Sequence, residues 1–221
     1  MEFYLDTANI KLVKKLYRIL PLSGVTTNPS IIAKENLNLV DVLQSLQDIF
    51  ENKGNLFAQV LGHTENEIVE EAMKLREKFP SIIVKIPVIP EGIAAIKTLS
   101  KNNIPTLGTA VYGAAQGLLS ALSGSIYIAP YVNRIDSQNG NGIQTVSELQ
   151  TLLNLHSPKS KILAASFRTP RQVLDCMLTG CAAVTVPPEI AELFLKDPAV
   201  FSAIDQFDQD WFTTFHKKQL F

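Results

Sequence analysis

Eight short apolar runs recur along this chain, each followed by a stretch with helical punctuation, and that rhythm narrows the folds open to it. The runs are Phe3–Leu5, Gly24–Thr27, Leu56–Val60, Ile82–Ile86, Pro105–Thr109, Ile126–Tyr131, Lys161–Ser166 and Ala183–Val186. Continuous runs of Val, Ile and Leu, rather than alternating ones, are what a parallel strand buried on both faces requires. The intervening segments carry start and stop signals for helices. Asn28-Pro29 places a capping side chain before a proline at the first helical position. Thr64 with Glu67, and Thr145 with Glu148, read as capping boxes. Thr169-Pro170 opens a helix that Gly180 can close, and Gly124 can end one begun near Val111. From Asn9 to Leu20, the residues Ile10, Val13, Leu16 and Leu20 recur at helical spacing.

A strand–helix order repeated eight times closes most naturally into a single-domain α/β (β/α)8 barrel, the TIM-barrel architecture. A doubly wound open sheet is the rival. Neither a G-x-G-x-x-G after the first strand nor a G-x-x-x-x-G-K-[ST] loop is present to support it. No Ser/Gly linker or low-complexity segment divides the chain, so residues 1–221 read as one domain with a C-terminal helical extension at 198–221. In that extension Phe201, Ile204, Phe207, Trp211 and Phe215 share a helical stripe. The stripe either packs back on its own barrel or covers a neighbouring subunit.

Composition excludes several function classes. With 46% hydrophobic and 19% charged residues the chain is that of an ordinary folded protein. A net charge of −1 offers no excess of cations for a nucleic-acid backbone, so no nucleic-acid partner is expected. Cys176 and Cys181 have no matching pair elsewhere, and His63, His156 and His216 are scattered, so neither a disulfide framework nor a metal site is expected. The first residues lack the layout of a signal peptide, and no run suffices to cross a bilayer. A cytoplasmic protein without a membrane partner is the expectation.

In such a barrel the C-terminal ends of the strands face the active site. Those positions carry Asp6, then Thr26 and Asn28, Gln59, Lys85, Thr109, Tyr131 with Asn133 and Arg134, and Ser166 with Arg168. The eighth strand ends in Val186-Pro187, without a polar group. Lys85 is the sharpest of these, because it interrupts the apolar strand Ile82-Ile83-Val84-Lys85-Ile86. It is either a lysine that snorkels to water or an amine held partly desolvated. In the second case burial disfavours the charged form and leaves a nucleophile. Asp6 either caps the next helix or shuttles protons. Asn28 is a cap or a donor to a substrate hydroxyl. Gln59 and Thr109 make core hydrogen bonds or hold a water. Tyr131 is a core aromatic with a wet hydroxyl or a proton donor. Arg134 and Arg168, beside Ser166, are solvated cations or a phosphate seat at the place where barrels usually hold one.

Six segments carry a family resemblance. They are Asp6-Thr7-Ala8, Gly24-Val25-Thr26-Thr27-Asn28-Pro29-Ser30, Val84-Lys85-Ile86-Pro87, Gly108-Thr109-Ala110-Val111-Tyr112, Ala129-Pro130-Tyr131-Val132-Asn133-Arg134 and Ala164-Ala165-Ser166-Phe167. Together they resemble the transaldolase family over nearly the whole chain. Within it, Phe57-Ala58-Gln59 and Pro130-Tyr131 are more similar to the small fructose-6-phosphate aldolases, since transaldolases usually place glutamate and phenylalanine there. The resemblance implies a class I aldolase that cleaves fructose 6-phosphate reversibly to dihydroxyacetone and glyceraldehyde 3-phosphate, with no cofactor and no metal. Lys85 would form the Schiff base. Tyr131 would act as acid and base through a water held by Gln59 and Thr109, and Asp6 would relay protons. Asn28 and Thr26 would contact substrate, and Arg134, Ser166 and Arg168 would hold the phosphate. It also implies a homo-oligomer, a pentamer or decamer, whose C-terminal helices reach neighbours. The alternatives are a transaldolase moving a dihydroxyacetone unit between sugar phosphates, a pyridoxal-phosphate enzyme, and a non-catalytic sugar-phosphate scaffold.

Overall fold

The computed structural model describes residues 1–221. Eight strands form from the apolar runs: β1 (Glu2–Asp6), β2 (Gly24–Thr26), β3 (Asn55–Gln59), β4 (Ile83–Pro87), β5 (Thr106–Val111), β6 (Tyr127–Pro130), β7 (Lys161–Ala164) and β8 (Ala183–Val186). Each pairs in parallel with the next, and β8 pairs with β1, so the sheet closes in chain order into a (β/α)8 TIM barrel. Eleven helices surround it. They are α1 (Ile10–Tyr17), α2 (Pro29–Glu35), α3 (Leu39–Ile49), α4 (Glu65–Lys78), α5 (Pro90–Lys101), α6 (Ala114–Leu122), α7 (Val132–Asp136), α8 (Gly142–His156), α9 (Pro170–Leu178), α10 (Pro188–Leu193) and α11 (Pro198–Phe215). None is long and apolar enough to cross a membrane.

Local chemistry accounts for most helix ends. Asn9 Oδ1 accepts from the Leu12 amide, Asn28 Oδ1 from Ile31, and Thr169 Oγ1 from Gln172, each satisfying a first-turn donor. Thr64 and Glu67 form the reciprocal capping box. Gly124 (φ +112°) and Gly180 (φ +83°) stand just past α6 and α9, where a left-handed backbone favours glycine. Two boundaries differ from the sequence reading. Thr145 and Glu148 do not open a helix: Asn141 caps α8 through the Gln144 amide, and Thr145 Oγ1 donates back to the Asn141 carbonyl inside the first turn. Val111 is the last residue of β5, and α6 starts at Ala114.

Strand alternation divides the apolar side chains between two cores. One set packs outward against the helices, including Leu5, Val25, Ala58, Val84, Ile86, Ile128 and Val184. A smaller set fills the barrel: Tyr4, Phe57, Ile83, Leu107, Tyr127, Ala129, Leu163, Ala165 and Ala183. The rings of Tyr4, Phe57 and Tyr127 meet edge to face at 5.3 and 5.4 Å, so the lower barrel is packed solid. Beneath them Glu2 closes the N-terminal end. Its carboxylate accepts from Tyr4 (2.7 Å), Tyr127 (2.6 Å) and Lys161 (2.7 Å), and Asn55 donates to the Tyr4 hydroxyl (3.0 Å). The N-terminal end of the barrel is thereby closed.

The helix α11 has no buried residue. Phe201, Ile204, Phe207 and Phe215 are 56%, 47%, 67% and 53% exposed, so its apolar stripe is not covered by its own barrel.

Candidate active site

The inward set of β4 is dictated by its neighbours. Val84 and Ile86 belong to the helix-facing core and Ile83 to the barrel interior, which leaves Lys85 pointing inward. It is 4% exposed, and its Nζ donates to the Thr27 carbonyl at 2.7 Å. The amine therefore does not snorkel to the outer surface. Burial pushes Lys85 below the usual lysine range, opposed by the Asp6 charge. Gln59 and Leu107 stand beside it in register on β3 and β5.

Asp6, last in β1, does not cap α1, because Asn9 does. Its Oδ1 accepts from Thr26 Oγ1 at 2.7 Å, and Thr26 Oγ1 lies 2.7 Å from Thr185 Oγ1. Burial raises the Asp6 carboxyl, opposed by Lys85, the Thr26 bond and Arg134. Lys85 and Asp6 are thus both pushed toward their neutral forms, the condition under which an amine attacks and a carboxyl exchanges protons.

Across the barrel, Tyr131 follows β6 and bridges to Ala165. Its hydroxyl shares a 2.8 Å hydrogen bond with Thr109 Oγ1. The Arg134 guanidinium sits 4.7 Å from the Tyr131 ring centre, and Tyr112 meets that ring edge to face at 5.9 Å. Burial raises the Tyr131 phenol, opposed by the Thr109 bond and Arg134. It remains protonated near neutral pH and is available as an acid.

A cavity of about 370 Å³ joins these groups, lined among others by Asp6, Asn28, Lys85, Tyr131, Asn133, Arg134, Ser166 and Arg168. Of the residues singled out in the sequence, Thr26 and Thr109 are fully buried behind this wall, and Gln59 is half-buried and outside the lining. The Gln59 side chain makes no hydrogen bond to the protein, unlike Thr109. Asn28 lines the cavity while capping α2, so both of its sequence readings are compatible with its position. At the rim, Arg134 and Arg168 are exposed and have no carboxylate partner. Ser166 adopts φ +64°, a conformation that costs a non-glycine residue about 1–3 kcal/mol and tends to accompany functional sites. Its carbonyl accepts from the Asn133 amide at 2.8 Å, which ties the β7 rim to α7.

Two features escaped the sequence reading. The cavity is also lined by Asn9, Lys34, Glu35 and Glu189, which belong to helices and loops with no motif of their own. The eighth strand does supply a polar group: Thr185, on the inward face with Ala183, reaches Thr26. The signal is the alternation of Ala183-Val184-Thr185-Val186, which puts Thr185 on the same face as Ala183. No group of three or more His, Cys, Asp or Glu side chains is placed to hold a metal.

The family model for transaldolase/fructose-6-phosphate aldolase matches residues 3–220. This chain belongs to that family. By shape it is similar to solved mandelate oxidases. One variant, described with a monooxide FMN adduct, has a TM-score of 0.57 at 11% identity, with 84% of this chain and 63% of that one covered. A second, with 2-hydroxy-phenylacetamide, has a TM-score of 0.57 at 12% identity, with 82% and 58% covered. The chain thus spans about three-fifths of the length of these oxidases, and at such identity the likeness is one of barrel fold alone.

Proposed function

We propose that this protein is a class I aldolase that cleaves fructose 6-phosphate reversibly to dihydroxyacetone and glyceraldehyde 3-phosphate through a Schiff base on Lys85. The observation that carries the reading is the placement of the Lys85 amine: 4% exposed, inside the barrel, opening on a polar cavity with Asp6 and Tyr131. The free amine attacks the C2 ketone of the sugar, and loss of water leaves an iminium. The C3–C4 electron pair then flows to the iminium nitrogen, giving an enamine and releasing the aldehyde. The proton lost from the C4 hydroxyl passes to the water network around Tyr131. Protonation of the enamine and hydrolysis release dihydroxyacetone. Asp6 exchanges protons during carbinolamine formation, and Asn28 orients a donor hydroxyl. Arg134, Ser166 and Arg168 hold the acceptor phosphate.

Gln59 and Tyr131 favour the aldolase over the transaldolase reading. An uncharged side chain at position 59 cannot act as a base toward water, and a phenol can deliver the proton that ends the enamine. The exposed face of α11 supports a homo-oligomer in which that helix covers a neighbour. The test is borohydride trapping with dihydroxyacetone, followed by mass mapping of the modified residue, together with an assay in which erythrose 4-phosphate is offered as acceptor. Adduct on Lys85 with faster cleavage than transfer supports the proposal. Transfer in excess of cleavage makes the protein a transaldolase, and adduct elsewhere or none refutes the Schiff-base reading.

A further inference from the structure

Thr185 lies outside the cavity lining, yet it ends a chain of hydroxyls that leads into it. Thr26 Oγ1 carries one hydrogen, and in the ionised state of Asp6, which Lys85, Arg134 and the Thr26 bond favour against burial, that hydrogen is committed to Asp6 Oδ1 at 2.7 Å. The contact of the same length between Thr26 and Thr185 must then run from Thr185 to Thr26. We propose that Thr185 is a positioning residue for Schiff-base chemistry: by donating to Thr26, it keeps Thr26 donating to Asp6 and so stabilises Asp6 as a correctly aimed carboxylate. The inference rests on the Lys85 reading above.

Position and burial make the arrangement one-way and dry. Thr185 enters the barrel because β8 alternates, with Ala183 in the interior cluster and Val184 and Val186 facing helices. Thr26 and Thr185 are 0% and 2% exposed, so no bulk water stands ready to replace either bond. In a low-dielectric interior a chain of hydroxyls polarises its members, and the last donor strengthens the bond made by the first. The other groups acting on Asp6 come from elsewhere in the wall. Lys85 on β4 and Arg134 on α7 favour its charged form, Glu189 on α10 opposes it, and Tyr131 beyond β6 is itself raised by the Asp6 charge. Only the Thr26 bond reaches the carboxylate directly from a neutral donor, and Thr185 is what orients that donor.

The bland alternative is that the Thr26–Thr185 bond merely joins β2 to β8 over the intervening β1. A double-mutant cycle separates the two, because a positioning effect must vanish once its target is gone. The experiment measures the rate of borohydride trapping of dihydroxyacetone on Lys85 against pH in the full chain. The proteins compared are the parent, Thr185→Val, Thr185→Ser, Asp6→Asn and the Asp6→Asn/Thr185→Val pair. Thr185→Val slows trapping about fivefold near neutral pH and moves the acid limb up by about half a pH unit, since less help for the carboxylate means it is lost earlier as pH falls. Thr185→Ser recovers most of the loss. In the Asp6→Asn background, Thr185→Val changes the rate less than about twofold. An unmoved acid limb, or an equal fivefold loss without Asp6, overturns the role of Thr185. Should Thr185→Val fail to fold, Thr185→Ala carries the same comparison. Absence of any adduct in the parent overturns the Lys85 reading itself, an outcome distinct from failure of the cycle.

Discussion

Lys85→Met separates what this side chain does for the fold from what it does for chemistry. Methionine nearly matches lysine in length and volume, so no cavity of methyl size opens in the strand layer. Two opposed changes remain. The Thr27 carbonyl loses its 2.7 Å donor, and an unpaired buried acceptor costs about 1–3 kcal/mol. The protein no longer buries a polar amine, a relief of roughly 1–3 kcal/mol on the scale of mutational data. These nearly cancel, so stability moves by about 1 kcal/mol or less. For a domain of this size that is a Tm change of no more than about 4 °C. Turnover, in contrast, loses its electron sink. A fall in kcat of about 10⁴-fold or more is expected, equivalent to about 5.5 kcal/mol of transition-state stabilisation. The assays are thermal unfolding, fructose 6-phosphate cleavage and borohydride trapping on one preparation. Retained trapping places the nucleophile elsewhere, and a Tm drop of about 10 °C or more marks Lys85 as chiefly structural.

Three further outcomes follow from the same geometry. Combining Gln59→Glu with Tyr131→Phe shifts the ratio of cleavage to transfer toward transaldolase, measured with and without erythrose 4-phosphate; an unchanged ratio contradicts the assigned roles of both positions. Arg134→Ala raises KM for glyceraldehyde 3-phosphate by about 10- to 100-fold, the worth of a charge-assisted bond to phosphate, while Lys85 trapping by unphosphorylated dihydroxyacetone persists. Equal weakening of both would place Arg134 at the reacting carbon instead. At the closed end, burial pushes the Glu2 carboxyl up, but bonds from Lys161, Tyr127 and Tyr4 outweigh it and hold it below the usual range. A depressed folded value means stability that is present at neutral pH and lost as pH falls through that value. Glu2→Gln should therefore lower stability by about 1–3 kcal/mol at pH 7, with the gap to the parent narrowing below about pH 4 in unfolding experiments.

The exposed stripe of α11 shows how far pattern reading extends. Phe201, Ile204, Phe207, Trp211 and Phe215 were recognisable as one apolar face from spacing alone. Whether their own barrel covers them depends on where the chain goes after α10, and the structure leaves all but the half-buried Trp211 exposed. Helix starts show the same division. Asn28-Pro29 and Thr64-x-x-Glu67 were legible because the cap and the first turn are neighbours in sequence. Thr145 and Glu148 have the same spacing but lie inside α8, where Asn141 had already taken the first-turn donor.

By itself, the amino-acid sequence determined the eight strand–helix units, the closed parallel barrel they imply and the identity of most polar strand ends. Each of these follows from short-range periodicity and from the rule that strands buried on both faces are apolar. The tertiary structure alone decided which polar groups meet. Thr26 joins Asp6 and Thr185, Thr109 joins Tyr131, and Arg134 lies over the Tyr131 ring, while Gln59 stands apart from the cavity wall. Arg134 and Tyr131 are three residues apart, but the hydroxyl pairings join different strands, and they are set by barrel register and inward alternation, which bring residues distant in the chain to one height around a common axis.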